Sequence, residues 1–515
     1  MTLTLLEKLG DINPQFLREV RGRFKSRNAL IVAASSLLGQ AFILLLFSTQ
    51  TCHEYNGNRC ADLSWEFHWL AIFRTLNWML PLLLFSIGVY LLLADWVREQ
   101  RSGTLNFIRL SPQPSQTILL GKILGVPIMV YLGLALAVPL HGVAGFLAGV
   151  PLAWTISFYA LITAVCALFY SAVLLNAGLT QASYQALAGS FLGLWLGSSF
   201  LGLIELTFDW NTLTYTELGD WHWFFWNLGR EPWQLTLWTF ITICVGAYWI
   251  WQAVNRMFRN PNGTMLSKHH SYWLVGSVQI FFLGLFLPQL NQNWANQSSL
   301  FGYLFAISLL TLGLFLGVIW GISPQRQALL DWARYEKVNL KTLSWRNLIG
   351  GEKSPAPVAI AVNLAITAVI WLPWLLLLPI STDVKIKAIA NLLLSANLIG
   401  FYALVVQLML LRMRKKPGIW AGSSLSVALF LPLTILSALQ AKFTEGVIFS
   451  GLWLVSVFGA PWVVLEQVSI ITVFFSLLAQ WAILAGLSFQ LTRQLQRAGE
   501  SASKSLFANR PVLPN

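Results

Sequence analysis

Residues 78–95 read WMLPLLLFSIGVYLLLAD, and residues 98–122 read REQRSGTLNFIRLSPQPSQTILLGK. The first stretch holds a single charge, Asp95, at its end. A helix crosses the hydrocarbon core of a bilayer with roughly 20 apolar residues, so this stretch and its flanks form a membrane span. The second stretch is charged and marked by prolines, and another apolar run, ILGVPIMVYLGLALAVPL at 123–140, follows it directly. Little else in the chain is polar enough to carry chemistry, so the insert between these spans becomes the functional question.

Similar apolar runs start near residues 29, 73, 120, 152, 184, 234, 272, 300, 357, 386, 419 and 462. A 515-residue chain that is 56% hydrophobic and only 10% charged belongs with membrane proteins and not soluble globules. The predicted fold is all-α and polytopic, with about twelve transmembrane helices in two tandem six-helix halves. Residues 1–28 form a lead-in, 29–255 the first half, 256–491 the second half and 492–515 a tail. Each half has its largest polar insert after its second span, at 95–122 and 323–356. Each also has an unusual segment before its last span, the aromatic-rich 205–233 and the apolar 446–459. Both segments are expected to be re-entrant or interfacial helices. The halves read as a parallel structural repeat.

A net charge of +13 raises the question of nucleic acid. Lys and Arg collect in the cytoplasmic loops of membrane proteins, and 27 of the 33 basic residues fall on alternate sides of a twelve-span arrangement. Only Arg59, Arg74, Arg230, Lys385, Lys387 and Lys442 fall on the other side. The charge is therefore a topology signal: both termini are expected in the cytoplasm, and nucleic acid drops out as a partner. The first apolar run follows a long basic segment and ends without a small-residue cleavage pattern, so it reads as span 1 and not a signal peptide. Within the lead-in, Asn13 or Asp11 before Pro14 starts a helix. Phe16, Leu17, Val20 and Phe24 line one face of it, with arginines opposite. That pattern predicts an interfacial amphipathic helix in contact with membrane lipids.

Four cysteines divide into two pairs. Cys166 and Cys244 lie in apolar runs and read as inert packing residues. Cys52 and Cys60 share the first outer loop, close enough along the chain to form a small disulfide if that face is oxidising; two unpaired thiols are the alternative. In the fifth span, Gly189, Gly193 and Gly197 recur every four residues, a spacing that lets two helices approach closely. Packing is the favoured reading over a substrate groove.

Chemical motifs are scarce. GGEKS at 350–354 lacks the Gly-Lys-Ser/Thr end of a phosphate-binding loop, because Glu352 separates Gly351 from Lys353. The inserts are too short for a nucleotide-binding domain. His269 and His270 are adjacent, with no carboxylate or cysteine beside them. Intramembrane charges, which cost roughly 2.5–3.5 kcal/mol each on insertion scales, are nearly lacking from the spans. Arg74, Glu205 and Glu466 fall near span ends, and buried polarity is limited to residues such as Asn77, Asn363 and Gln407. No catalytic residue, metal ligand or cofactor is expected, and a driving force must come from outside the membrane.

The insert 98–122 resembles the connection after the second span in membrane subunits of the type-2 exporter family of ATP-binding-cassette (ABC) transporters. The resemblance rests on Glu99, then Gly103-Thr104-Leu105, then Ser111-Pro112, then Gly121-Lys122 at the start of span 3. The amphipathic lead-in and six-span halves resemble the same family, over about residues 11–255. It implies an ABC exporter permease in a bacterial cytoplasmic membrane, driven by a separate ATPase in two copies and moving an unidentified substrate. The implied coupling residues are those motif positions and Phe107. In physical terms, Gly103 ends span 2, Pro112 shapes a turn, and TLNFIRL between them makes a short amphipathic helix, a handle for a soluble motor. The second insert, 323–356, has no Gly-Thr-Leu and departs from the pattern. Rival readings are a multi-span glycosyltransferase using a lipid-linked sugar, with its base among Glu54, Asp62 and Glu66, and a secondary carrier.

Overall fold

The computed structural model describes residues 12–56, 59–179, 185–216, 221–292, 297–338, 345–379, 381–439, 453–454 and 470–498. Among them are 17 helices, of which 12 are long and apolar enough to cross a bilayer. The chain is an all-α polytopic membrane protein. It divides into two compact units, Met1–Trp221 with Asn227–Pro261, and His222–Trp226 with Asn262–Asn515. Each unit carries six of the spans.

The first unit contains α1 (Pro14–Arg23), α2 (Ser26–Leu46), a hairpin of β1 (Ser48–Asn56) and β2 (Arg59–Phe67), and α3 (Trp69–Arg101). There follow α4 (Thr104–Arg109), α5 (Ser115–Gly125), α6 (Ile128–Leu147), α7 (Leu152–Leu179), α8 (Gln185–Leu206) and, after a turn-rich segment, α9 (Pro232–Arg259). Helix α3 is the centre of the unit, packing on α6, α7 and α8, while α2 lies on α6 and α9 on α7. With 33 residues, α3 is about 50 Å long at 1.5 Å per residue, against roughly 30 Å of hydrocarbon. Its last turns, with Asp95 and Glu99, therefore extend past the span.

The third span, read as continuous from residue 120, is in fact two helices. Pro127 stands between α5 and α6; it has no N–H to donate and its ring crowds the preceding turn. The break leaves Gly121 and Lys122 on a short separate helix, α5.

The glycine stripe of α8 faces α3. A Cβ on Gly189 would come 2.3 Å from Leu93 Cδ1, on Gly193 3.2 Å from the Phe85 carbonyl oxygen, and on Gly197 2.5 Å from Phe85 Cδ2. Phe85 is fully buried, so its ring has nowhere to go. Gly202, on the same helix, has open space where its Cβ would be. Alanine gains about 1 kcal/mol over glycine in a helix, whereas overpacking costs about 1–3 kcal/mol. We expect Gly202→Ala to raise the thermal midpoint of the purified protein and Gly197→Ala to lower it. Equal shifts of the same sign would remove the close approach of α8 to α3.

Between α8 and α9 the re-entrant helix expected at 205–233 does not form among the described residues. Short strands β3 (Phe208–Asp209) and β4 (Thr214–Tyr215) pair instead, followed by β5 (His222–Trp223) and β6 (Trp226–Asn227). Local turn chemistry explains this. The Asp209 carboxylate accepts from Asn211 N and Thr212 Oγ1, both at 2.9 Å, and Asn227 Oδ1 accepts from Gly229 N and Arg230 N at 3.1 Å. Such side chains offer the backbone an alternative to helix. Of the second expected segment, 446–459, all but Trp453 and Leu454 lie outside the described residues.

The connection after α2 forms the β1–β2 hairpin, for which Asn56-Gly57 is a sequence signal. Its register sets Cys52 opposite Leu63 and Cys60 opposite Tyr55. The side chains of Cys52 and Cys60 lie outside the described residues.

The second unit contains α10 (Lys268–Gln292), α11 (Gln297–Ile322), α12 (Arg326–Val338), α13 (Trp345–Gly350), α14 (Ala356–Leu377), α15 (Thr382–Arg412), α16 (Pro417–Ala438) and α17 (Ile470–Ala498). Pairings it shares with the first unit include first span on third, second on third, second on fourth, third on fourth, and fourth on sixth. The fifth spans differ, α8 lying on the second span and α16 on the fourth. Polar residues tie these helices together across their interfaces. Asn363 Nδ2 donates to Ser271 Oγ at 3.0 Å, Trp371 Nε1 to Gln279 Oε1 at 2.8 Å, and Gln407 Oε1 accepts from Ala356 N at 3.0 Å.

Candidate functional site

The insert 98–122 is built onto the end of the first unit by an ion cluster. Asp95 and Glu99 sit one turn apart on α3, so they share a face. Opposite them, on α5, is Lys122, whose side chain is 1% exposed. Its Nζ lies 2.7 Å from both Asp95 Oδ2 and Glu99 Oε2 and 3.9 Å from Glu19 Oε1. Helix α1 closes the cluster. Arg18 pairs with Glu99 at 2.7 Å and Glu19 at 2.9 Å, and Arg23 pairs with Glu19 at 3.2 Å and with Asp95. Burial opposes the Arg18 charge, but hydrogen bonds and attraction from Glu19 and Glu99 outweigh it and hold its pKa above the ordinary value.

Three carboxylates and three cations leave the cluster neutral. The oxygens of Glu19, Asp95 and Glu99 come within 4.8 Å of one another, a spacing that would suit a metal ion. Here the Lys122 ammonium already bridges two of them, so the arrangement works as an internal clamp.

The amphipathic lead-in helix forms as α1, capped by Asn13, whose Oδ1 accepts from Phe16 N at 2.9 Å. The face it buries is more polar than the expected apolar stripe. Asn13, Gln15, Glu19 and Val20 are buried, Phe16 and Leu17 half-buried, and Phe24 exposed. The reason lies in α5. Gly121 and Gly125 have no side chain, so α1 settles directly on them, with Phe16 N 2.7 Å from where a Gly121 Cβ would be and Glu19 Cβ 2.6 Å from that of Gly125. Asn13 Nδ2 also donates to the Thr117 carbonyl at 2.9 Å.

Beyond the cluster, Gly103 adopts φ +74° and starts α4, a left-handed conformation that glycine enters without steric cost. Thr104 Oγ1 bonds Ser102 Oγ at 2.8 Å. Leu105, 2% exposed, and Ile108 face inward, in one apolar cluster with Trp96, Leu119, Val254 and Phe258. Arg109 lies over the Phe258 ring at 5.4 Å, and burial lowers its pKa. Facing away from this anchor, Phe107 is 80% and Leu110 84% exposed. Ser111 N then donates to the Ile108 carbonyl at 3.1 Å, and exposed Pro112 leads through Pro114 into α5. Ser115 Oγ bonds Asn255 Oδ1 and accepts from Arg259 Nε at 2.7 Å, tying α5 to the end of α9.

The sequence-identified residues thus separate by role. Glu99, Gly121 and Lys122 belong to the clamp, Gly103 and Thr104 to the turn, and Leu105 to the anchor. Glu99 and Leu105, read as contacts for a partner, are occupied within the unit, because a carboxylate beside a buried ammonium and a leucine beside an open apolar cluster are both stabilised there. Phe107, Leu110 and Pro112 remain as the outward surface. Sequence reasoning missed Glu19, Arg23 and Asp95. The signal was present in a lone acid within an arginine-rich helix and in an acidic pair four residues apart. It also passed over His141, fully buried on α6, stacked on Phe73 at 4.3 Å with Nδ1 2.7 Å from Tyr159 Oη.

The second unit treats its insert differently. Helix α12 buries Leu329 and Ala333 against Leu404, Leu408, Leu411, Leu491 and Leu495, covering its apolar face with its own spans. The Lys268 ammonium, buried without a carboxylate among its hydrogen-bond partners, donates to Leu348 O, Ser354 Oγ and Pro355 O at 2.5–3.1 Å. It thereby holds the GGEKS turn against α10. No protein-family model, curated protein or solved structure matches the chain.

Proposed function

We propose that this chain is the permease of an ATP-driven exporter, of the kind seen in type-2 ABC transporters, engaged by a separate ATPase through α4. The observation that carries this reading is the division of α4 and its C-cap into a buried anchor, Leu105 and Ile108, and an outward pair, Phe107 and Leu110. Large apolar side chains exposed at the end of a well-anchored helix are costly in water and suit a groove on a partner. The ion cluster supports the same reading, since it fastens α4's base to α1, α3 and α5. Force applied at the outward pair then reaches two spans directly. In this proposal both termini and the insert face the cytoplasm, the membrane is the bacterial cytoplasmic one, and two ATPase copies serve each transporter. The covered apolar face of α12 supports the first insert as the main contact.

Phe107→Asp tests the proposal. Phe107 is too exposed to support the fold, so stability should change by no more than about 0.5 kcal/mol. Loss of a central apolar contact is expected to cost the complex about 2–4 kcal/mol, abolishing co-purification with the ATPase and stimulation of its hydrolysis. A variant that inserts, binds the ATPase and stimulates it normally would sink the coupling role.

A further inference from the structure

The first unit contains a cavity of about 680 Å³ between α3, α5, α6, α7 and α9. None of the residues lining it is charged. Its polar side chains are largely satisfied internally: Tyr131 Oη donates to Ile123 O at 3.0 Å, Thr163 Oγ1 to Tyr159 O at 2.8 Å and Ser171 Oγ to Ala167 O at 2.7 Å. Tyr159 Oη is likewise engaged, by His141. What remains is an apolar surface with almost nothing to recognise a polar or charged ligand.

Shape narrows the occupant further. Along α7 the lining runs from Phe158 to Ser171, about 20 Å at 1.5 Å per residue and so about two thirds of the ~30 Å hydrocarbon thickness. Phe158, Ile162 and Ser171 form a buried floor, whereas Leu124, Val138, Ala167 and Tyr248 line the cavity and are exposed. The cavity is therefore a slot, elongated along the spans and open sideways at the level of the hydrocarbon.

We propose that this slot holds one extended hydrocarbon chain of an amphiphile taken sideways from the bilayer, and that the cargo of the exporter is lipid-like. The cargo half of this inference rests on the function proposed above; the slot itself does not. A charged solute would lose its hydration there without gaining a partner, while an acyl chain moves from one apolar environment to another and gains close contacts.

The test uses the full chain alone in phosphatidylcholine vesicles that contain a phosphatidylcholine with a diazirine on its acyl chain. After illumination, mass spectrometry should find labelling on the slot-floor residues Phe158, Ile162 and Ser171 above that on residues 191–195 of α8, whose Phe191, Leu192, Leu194 and Trp195 are exposed. Ala167→Trp fills the slot from its open side and should cut floor labelling by on the order of tenfold, leaving that on α8 unchanged. Thr163→Trp, also at an exposed lining position, repeats the block independently. Loss of labelling on adding lysophosphatidylcholine identifies a single-chain amphiphile as the preferred occupant; persistence identifies the bilayer phospholipid. Floor labelling no greater than that of α8, or unaffected by both tryptophans, would overturn the slot. With the ATPase added, the occupant should raise ATP hydrolysis by the wild type and not by Ala167→Trp. Labelling without that stimulation keeps the slot and removes the cargo role, whereas an intact Phe107 effect without labelling removes the slot alone.

Discussion

Lys122→Met is expected to release α1 from the first unit and to lower its stability by about 3–5 kcal/mol, the cost of removing one partner from a buried ionic network. Lys122 bridges Asp95 and Glu99 at 2.7 Å each from an almost fully buried position. Methionine fills similar space but leaves three carboxylates with two cations. The excess charge resides where water is scarce, and the simplest relief is for α1 to lift away and admit solvent. Trypsin should then cut at Arg18, Arg21 or Arg23 in the folded protein much faster than in the wild type, and the thermal midpoint should fall. Adding Glu99→Gln to Lys122→Met returns the cluster to neutrality and should recover part of the loss, a coupling that residues in direct contact show and distant ones do not. Unchanged cleavage and melting in Lys122→Met would mean that the cluster contributes nothing to holding α1.

Gly121→Leu should release the same helix by a different cause. A Cβ there would stand 2.7 Å from Phe16 N, 2.8 Å from Asn13 Oδ1 and 3.0 Å from Gln15 Cβ. The first of these is backbone and cannot rotate aside, so α1 has to move as a whole. Overpacking of this kind costs about 1–3 kcal/mol. Because the Lys122–Asp95 and Lys122–Glu99 pairs join α3 and α5 without α1, they persist, and the thermal midpoint should fall less than in Lys122→Met. Tryptic cleavage within α1 should rise comparably in both. If Gly121→Leu leaves α1 protected, the contact between α1 and α5 is looser than the distances require.

Both predictions concern residues that were legible in the sequence without their roles being legible. Glu99, Gly121 and Lys122 stood out as motif positions of a segment meant for a partner. Lys122 and Glu99 pair with each other, and the rest of the company that Glu99 and Gly121 keep comes from α1, roughly 80 to a hundred residues earlier in the chain. Burial depends on which helices meet, and no local pattern reports a contact across that separation. For the same reason Leu105 and Phe107, two positions apart on one short helix, were both read as apolar contacts for a partner. One proved to be an anchor and the other a surface.

Local patterns of apolar and polar residues suffice to show that the chain crosses a membrane about twelve times as helix, where most of those spans lie, and that a short helix interrupts the chain after the second. These follow from local quantities, since a bilayer requires about 20 apolar residues per crossing and glycine enters the left-handed conformation that ends a helix without steric cost; proline alone does not decide a break, as Pro81 lies inside α3 and Pro139 inside α6. Tertiary structure alone decided that Pro127 separates α5 from α6 and that α1 docks through a polar face. It also decided that Leu329 and Ala333 of α12 turn inward and that an apolar slot opens sideways in the first unit. Each of these depends on the company a side chain keeps. An ammonium or a leucine has no fixed role until the helices around it determine whether water, a carboxylate or another apolar group is its neighbour.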